Sequence, residues 1–495
     1  MTWLTKLFRL ALNFVMLKFE PLCFRLCPRA EYRFQKTTES SLSVTVSPQP
    51  PSLPDADLAH RIERLEEEPT KVHRNDTQVD RDRLLYATSF ARLAEVTQVI
   101  SADHGYVFHN RLTHSLKVAQ LSRRIAEKLL SEQPKEVAAA GGLDIDAAEC
   151  AGLAHDLGHP PFGHIAEDVL DDEIKDIDPQ DGYEGNAQSF RIVTKLAVGD
   201  PIGIAGNKPI APSLNLTRVS LNGILKYPWL INGNPQKTNK WGAYSSEKDE
   251  FDWVRASFDK QFGGKVKSLE AEVMDWADDI TYAVHDVVDF FCAGKIPLDR
   301  LGEQKPLVLS SFFEEVFNRE GNEKLKDRRS ELEKRFKHVC YRNFAAIEGR
   351  YTGICEERSV LWQMMTALIT EYVGAFRIGN LSDPNSLVTI GKEAKDEIAM
   401  LKQLTWHYVI NNADLATAQH GQKLIVKAVF KTLYEASAAS SECRLLPPFY
   451  EELYRKAKST SEKIRLVADC VSSMTEAEIT TIYQKICGYK VGPML

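Results

Sequence analysis

Apolar positions recur at helical spacing along most of this 495-residue chain, and no run of alternating strands is long enough to build a sheet. In RIERLEEEPTKVHRNDTQVDRDRLLYATSFARLAEV, residues Leu84, Leu85, Ala87, Phe90, Ala91 and Leu93 fall broadly on one face. In NRLTHSLKVAQLSRRIAEKLL, residues Leu112, Leu116, Ala119, Ile125, Ala126 and Leu129 form an apolar stripe, which places His114 in the first turns of an amphipathic helix. Helical spacing continues to about residue 300, broken by Gly/Pro/Asn-rich stretches near 199–216 and 228–245. The charged stretch 318–338 reads as a solvated helix, and a further helical region runs from roughly 355 to 490. There is no internal repeat of fixed period. The pattern predicts a mainly α fold.

Composition narrows the class without changing that picture. With 43% hydrophobic and 26% charged residues the chain is an ordinary globular one, which excludes collagen-like, disulfide-scaffold and wholly disordered classes. The net charge of −7 argues against an overall nucleic-acid coat while permitting a local basic channel. Nine cysteines, scattered from Cys23 to Cys487 with only Cys23 and Cys27 close, read as thiols of a reducing cytoplasm. The apolar N-terminus is interrupted by Lys6, Arg9 and Lys18, so it offers neither a membrane span nor a clean secretory signal. It reads as an amphipathic surface helix or a dispensable extension. SLSVTVSPQPPSLPDADL (41–58) is a proline-rich linker. The expected organisation is therefore a flexible extension and linker over 1–70, a core over 71–300, and a C-terminal helical region over 301–495.

The chemistry is concentrated in one window. Six of the twelve histidines lie between His104 and His164. In DIDAAECAGLAHDLGHPPFGHIAEDVL a short apolar helix ends at Gly158, with His155-Asp156 in its last turn. That doublet offers an imidazole nitrogen and a carboxylate oxygen to one point, a ligand pair for Zn, Mn, Fe or Mg. Taken alone, such a pair occurs by chance in many proteins; the string HDLGHPPFGHIAE gives it weight. Pro160-Pro161-Phe162-Gly163 is a rigid turn that carries His159 and His164 around the mouth of the same site, with Glu167 one turn beyond His164. A further ligand is expected from SLEAEVMDWADDITYAVHDVVDFF (268–291). There Met274, Ala277, Thr281, Val284, Val288 and Phe291 make an apolar face, and Asp278, Tyr282, His285 or Asp286, and Asp289 make another. Asp278 is the expected ligand, with Asp279 the alternative if the helix is rotated by one position.

His114, then His155-Asp156, then Asp278 follow the H…HD…D order of the HD phosphohydrolase superfamily. The segments RLTHSLKVAQ, AHDLGHPPFGH, YEGNAQSFRIV, LNLTRVSLNGILKYP and MDWADDITYAVHD, in order across roughly 74–295, closely resemble the dGTPase (deoxynucleoside triphosphate triphosphohydrolase) family. IRLVADCVSSMTEAE (464–478) is similar to that family's closing segment, with Ser473 and Glu476 where glycine and aspartate are usual. The resemblance implies an HD-domain helical core with an additional C-terminal helical region that completes the nucleotide site. It also implies hydrolysis of a dNTP, dGTP favoured, to deoxynucleoside and intact triphosphate. A divalent metal ion, Mg²⁺ or Mn²⁺ before Fe, Co or Zn, would be held by His114, His155, Asp156 and Asp278. His164 and Glu167 match the family's catalytic pair. Asn186 would contact phosphate or sugar, Lys226 and Tyr227 the triphosphate and sugar, and Tyr282 and Asp286 the 3′-hydroxyl. Arg111 and Arg465 would neutralise the triphosphate, and Gln98 would read the base edge.

The resemblance further implies a cytoplasmic homo-oligomer, a hexamer by family habit, with single-stranded DNA or an allosteric nucleotide as further partners and no membrane. Two other readings compete. Another HD nucleotide phosphohydrolase would lack the YEGNAQ and ILKYP segments. A non-catalytic nucleotide-sensing or single-stranded-nucleic-acid-binding scaffold would have eroded ligand positions, which are intact here.

Overall fold

The computed structural model describes residues 60–68, 73–99, 110–199, 203–205, 208–210, 213–381, 383, 386–411, 413–439 and 445–489. The chain divides into units Met1–Pro48 and Gln49–Leu495, and every described residue lies in the second. The expected N-terminal helix or extension and the proline-rich linker lie outside the described residues.

Fourteen helices build and frame the polar centre of the molecule: α1 (Asp76–Tyr86), α2 (Arg111–Glu132), α3 (Ile145–Ala154), α4 (His164–Lys175), α5 (Gly185–Arg191), α6 (Arg218–Ile224), α7 (Leu269–Ile280), α8 (Asp286–Cys292), α9 (Arg329–Phe344), α10 (Cys355–Gly374), α11 (Lys392–Thr405), α12 (Ala413–Ala439), α13 (Thr460–Ser472) and α14 (Glu476–Ile486). Among the described residues the only sheet is two antiparallel pairs of three-residue strands, Gly203–Ala205 with Lys208–Ile210 and Phe376–Ile378 with Val388–Ile390. The fold is mainly α, as the spacing predicts.

Helix α3 is the hub. Seven of its ten residues (Ala147, Ala148, Cys150, Ala151, Gly152, Leu153 and Ala154) are apolar and buried, because α1, α2, α6 and α7 all pack on it. Asp144 caps its start by accepting from the Ala147 amide. The inward face of α2 runs through Ser115, Val118, Ala119, Ser122, Ile125, Ala126 and Leu129, so the expected stripe is turned by part of a helical step and Leu116 is 44% exposed. The reason is close approach. A Cβ on Gly152 would lie 2.6 Å from the Ala119 Cα, so only small residues fit where α2 crosses α3. That crossing brings His114 and His155 together, with ring centroids 5.5 Å apart. Gly152→Ala should therefore cost about 1–3 kcal/mol through overpacking against backbone. Urea unfolding measures this directly, and an unchanged midpoint would mean that the two helices have slack.

Helices α7 and α8 form one rod joined by a π turn, Thr281–His285. Met274, Ala277, Thr281, Val284, Val288 and Phe291 are all buried on it, as the pattern predicts. The stretch 318–338 is different from its expectation. A turn at Gly321–Asn322 and a short helix Glu323–Lys326 precede α9, which buries Leu332, Phe336, Val339, Cys340 and Phe344. Apolar residues spaced by three to four inside a charged background make an amphipathic helix, not a solvated one.

The main hydrophobic cluster runs from Val118 to Val409, so the expected boundary at residue 300 passes through a shared core. Residues 60–68, read from sequence as part of the extension, are tied to the folded body, with Leu65 packed on the separate cluster that holds Leu84, Leu214 and Leu216. Arg64 donates to Asp80 (2.6 Å) and to the Asn215 carbonyl, and the Glu63 carbonyl accepts from the Arg218 amide (2.8 Å). Another cluster packs Val426, Val429 and Phe430 of α12 with α13 and α14 against Ala166, Leu170 and Ile174 of α4. No helix among the described residues is long and apolar enough to cross a membrane.

Candidate active site

Three elements deliver one polar centre: the first turn of α2, the residues just past α3, and the last turn of α7. Asn110 caps α2 by accepting from the Thr113 amide, which fixes His114 one turn in. His114 Nε2 lies 3.0 Å from Asp278 Oδ1, and His155 Nε2 lies 3.8 Å from the same oxygen and 3.5 Å from Asp156 Oδ1. His155 Nδ1 donates to the Gly152 carbonyl at 2.7 Å, which leaves the lone pair on Nε2; that nitrogen is buried with no hydrogen-bond partner. Behind His114 stands Asp286, its Oδ1 3.9 Å from His114 Nδ1, in the manner of a carboxylate that orients a metal-ligating imidazole. Asp279 points away and pairs with Lys402, so the helix presents Asp278, not its neighbour, to the centre.

The charges around this centre keep its carboxylates ionised. Burial opposes ionisation of Asp156, yet His155, Arg111 (Nη1 to Oδ2, 2.8 Å) and His159 (Nδ1 to Oδ1, 3.1 Å) keep its carboxyl well below the usual range. Asp278 is likewise held well below that range against burial, by Lys226 (Nζ to Oδ2, 2.7 Å) and His114. Burial pulls the His114 imidazole down, but its hydrogen bond to Asp278 and the nearby Asp286 carboxylate outweigh that and push it up to about 10. The donor atoms of His114, His155 and Asp278 lie within 4.8 Å of one another. Two carboxylates and two imidazoles, one of them with Nε2 unpaired, are a donor set that fits a divalent cation.

Beside the centre, Gly163 and Phe162 both take positive φ (59° and 68°) in the Pro160–Gly163 turn. A side chain at Gly163 would meet the Arg111 guanidinium at 2.8 Å, so glycine is what lets Arg111 reach Asp156. The turn opens α4 with His164, whose side chain is 70% exposed to the cavity and whose Nδ1 lies 3.2 Å from Glu167 Oε2. His159, expected at the mouth, is buried and bridges Asp156 to Glu167 (Nε2 to Oε1, 3.1 Å).

Two comparisons bear on what this centre belongs to. An HD domain matches residues 111–194, and a phosphohydrolase-associated domain matches residues 388–485. The deoxyguanosinetriphosphate triphosphohydrolase-like protein of Corynebacterium efficiens is 32% identical over 427 residues, 84% of this chain and 92% of that protein. The protein of that name from Corynebacterium glutamicum is 31% identical over 411 residues, 81% and 88% respectively. That from Streptomyces coelicolor is 30% identical over 445 residues, 86% and 96%. The chain belongs to the deoxyguanosinetriphosphate triphosphohydrolase-like family of HD-domain phosphohydrolases.

In this HD phosphohydrolase a cavity of about 440 Å³ surrounds the centre, and Gln98, Asn186, Lys226, Tyr227 and Tyr282 line it together with Arg111 and His164. Gln98 Oε1 is buried without a partner. Two expected contacts stand elsewhere. Asp286 is not on the wall but behind His114, because the π turn rotates it inward. Arg465 is on the face of α13 that meets residues 181–182, where it pairs with Asp181 and the Gly182 carbonyl over the Tyr244 ring, outside this cavity.

In this family member, residues that the sequence pattern does not single out also border the cavity and its loops. Lys240 lines the cavity and donates to Glu184 (2.8 Å), whose carboxylate caps α5 and accepts from the Asn186 side chain (2.9 Å). Lys240 lies in the irregular 228–245 stretch, where no periodicity marks one lysine from another. Glu476 accepts from the Thr97 amide (2.7 Å) and the Phe162 amide (3.2 Å), and Arg92 donates to the Leu157 and His159 carbonyls (2.8 Å each) and to the Met474 carbonyl. The C-terminal segment thus clamps the loop that carries the histidines, and the Glu476 of this sequence reaches both partners in place of the usual aspartate.

Proposed function

We propose that this HD phosphohydrolase hydrolyses a deoxynucleoside triphosphate, dGTP favoured, to the deoxynucleoside and inorganic triphosphate with the aid of Mg²⁺ or Mn²⁺. The observation that carries the reading is the bare Nε2 of His155 facing Asp278 and His114, one cavity wall away from the His164–Glu167 pair. His114, His155, Asp156 and Asp278 would hold a divalent ion, which would supply Lewis-acid polarisation of the phosphate. The chain's own groups do the rest. Lys226 and Lys240 exchange carboxylate partners for phosphate oxygens and keep the triphosphate chain extended along the wall, with Asn186 between them. The rings of Tyr227 and Tyr282 flank the sugar, and Gln98 accepts a hydrogen bond from the nucleoside. A water oxygen bonds to the α-phosphorus as the bond from phosphorus to the 5′-oxygen breaks; the water gives up one proton and the departing oxygen takes one up. His164, oriented by Glu167 on its Nδ1 side, presents its other nitrogen for this proton transfer.

The names borne by the curated relatives support the substrate class, and the YEGNAQ and ILKYP segments, which provide Asn186, Lys226 and Tyr227, favour this reaction over other HD chemistry. The test is incubation of the purified chain with each of the four dNTPs and Mg²⁺ or Mn²⁺, with anion-exchange separation of products. Equimolar deoxynucleoside and tripolyphosphate are expected, with dGTP turned over fastest. A monophosphate or diphosphate as the first product would overturn the reading.

A further inference from the structure

A second cleft, of about 700 Å³, lies on the far side of the segment that carries Glu184 and Asn186, between Tyr244–Ser246 and the start of α13. Arg465 forms its floor. This side chain is 3% exposed, and its guanidinium lies 3.6 Å over the Tyr244 ring. One of its nitrogens, Nη2, is engaged by Asp181 and the Gly182 carbonyl, while Nε and Nη1 are buried with no hydrogen-bond partner. Unused donors on a buried cation are costly, and an anion with several acceptor oxygens would satisfy them.

The rim supplies more positive charge. Lys195 stands 3.4 and 3.5 Å from Glu247 and Glu250, and Lys456 pairs with Glu452 of its own helix in the open. Arg191, also on the cleft, is saturated by Asp469 and Glu247 and contributes field without free donors. The three acids on the wall are already engaged: Asp178 by the Gln180 amide, Asp181 by Arg465, and Glu462 by the Lys458 and Ser459 amides. What remains is a buried guanidinium with two unpartnered nitrogens in the lining of a ligand-sized cavity that two lysines also line.

We propose that this cleft is a binding site for a small polyphosphate anion, with Arg465 as the anchor and Lys195 and Lys456 as rim contacts. Guanidinium is suited to this ligand class because its planar donors match phosphate oxygens, and the lysines add charge that a neutral or carboxylate ligand would use less well. The site is separate from the catalytic cavity, since Tyr244 and the 182–186 segment stand between them; the hydroxyl of Tyr244 donates to the Glu184 carbonyl at 3.1 Å.

The test is calorimetric titration of the full chain, as purified and without added metal, with sodium tripolyphosphate, which needs no turnover. An equivalent of tripolyphosphate is expected to bind the Lys226→Ala variant, in which the catalytic cavity is weakened. That equivalent should lose at least about tenfold in affinity, or roughly 1.4 kcal/mol, when Lys195→Glu and Lys456→Glu are added. Arg465→Gln, checked for folding by its thermal transition, should remove it. If Arg465→Gln does not fold, the lysine pair decides alone. No binding in Lys226→Ala, or binding of unchanged affinity after the two lysine replacements, would overturn the site.

Discussion

Asp278→Asn should lower dNTP turnover on the order of 10³-fold or more and strip the divalent metal from the purified protein. One oxygen of Asp278 faces both His114 and His155, and the other holds Lys226. Neutralising this carboxylate removes the anion that the two imidazoles share and turns Lys226 toward Asp275, 3.0 Å away. A loss of several kcal/mol of charge stabilisation at the phosphate corresponds to about three powers of ten in rate. The replacement is nearly isosteric, so the rod of α7 and α8 should keep its packing. Metal content by mass spectrometry and a thermal transition separate the two effects: a folded variant with full metal occupancy would remove Asp278 from the ligand set.

His164→Ala should behave differently, keeping the metal and losing a factor of about 10²–10⁴ in rate, the usual worth of a positioned proton donor or acceptor. The side chain is exposed to the cavity and makes its hydrogen bond to Glu167 alone, so its removal leaves the centre of His114, His155 and Asp278 untouched. Substrate affinity should change little while the maximal rate falls. Glu167→Gln should reproduce part of the effect, because the carboxylate that sets the imidazole is replaced by a group that can present a donor to it. A His164→Ala rate within a few-fold of the parent would assign the proton transfer to another group.

The helical fold and the centre were legible because their signals are local. The small apolar residues of α3 followed by His155-Asp156, and the Pro160–Gly163 turn before His164, each specify a backbone shape within a few residues. Asp278 could be distinguished from Asp279 only by how α7 is rolled, and that depends on which face meets α3 and α11, a tertiary fact. The same holds for Leu116, which an α2 seen alone would bury, but which the Gly152–Ala119 contact turns outward. Asp286 was misplaced because a π turn does not announce itself in spacing. Arg465 was misplaced because a motif fixes the residue type and its helix, while the partner opposite it, here Asp181, comes from 284 positions away. Lys240 and Glu184 sit in loops whose order comes from their bond to each other and not from any repeat.

Attack of water on the α-phosphorus, with departure of the 5′-oxygen, is the step on which the proposed function rests. Hydrolysis of dGTP in water enriched in ¹⁸O, followed by mass spectrometry of both products, tests it directly. One ¹⁸O atom is expected in each tripolyphosphate and none in deoxyguanosine, whereas label in deoxyguanosine, or in a nucleotide still carrying phosphate, would contradict it.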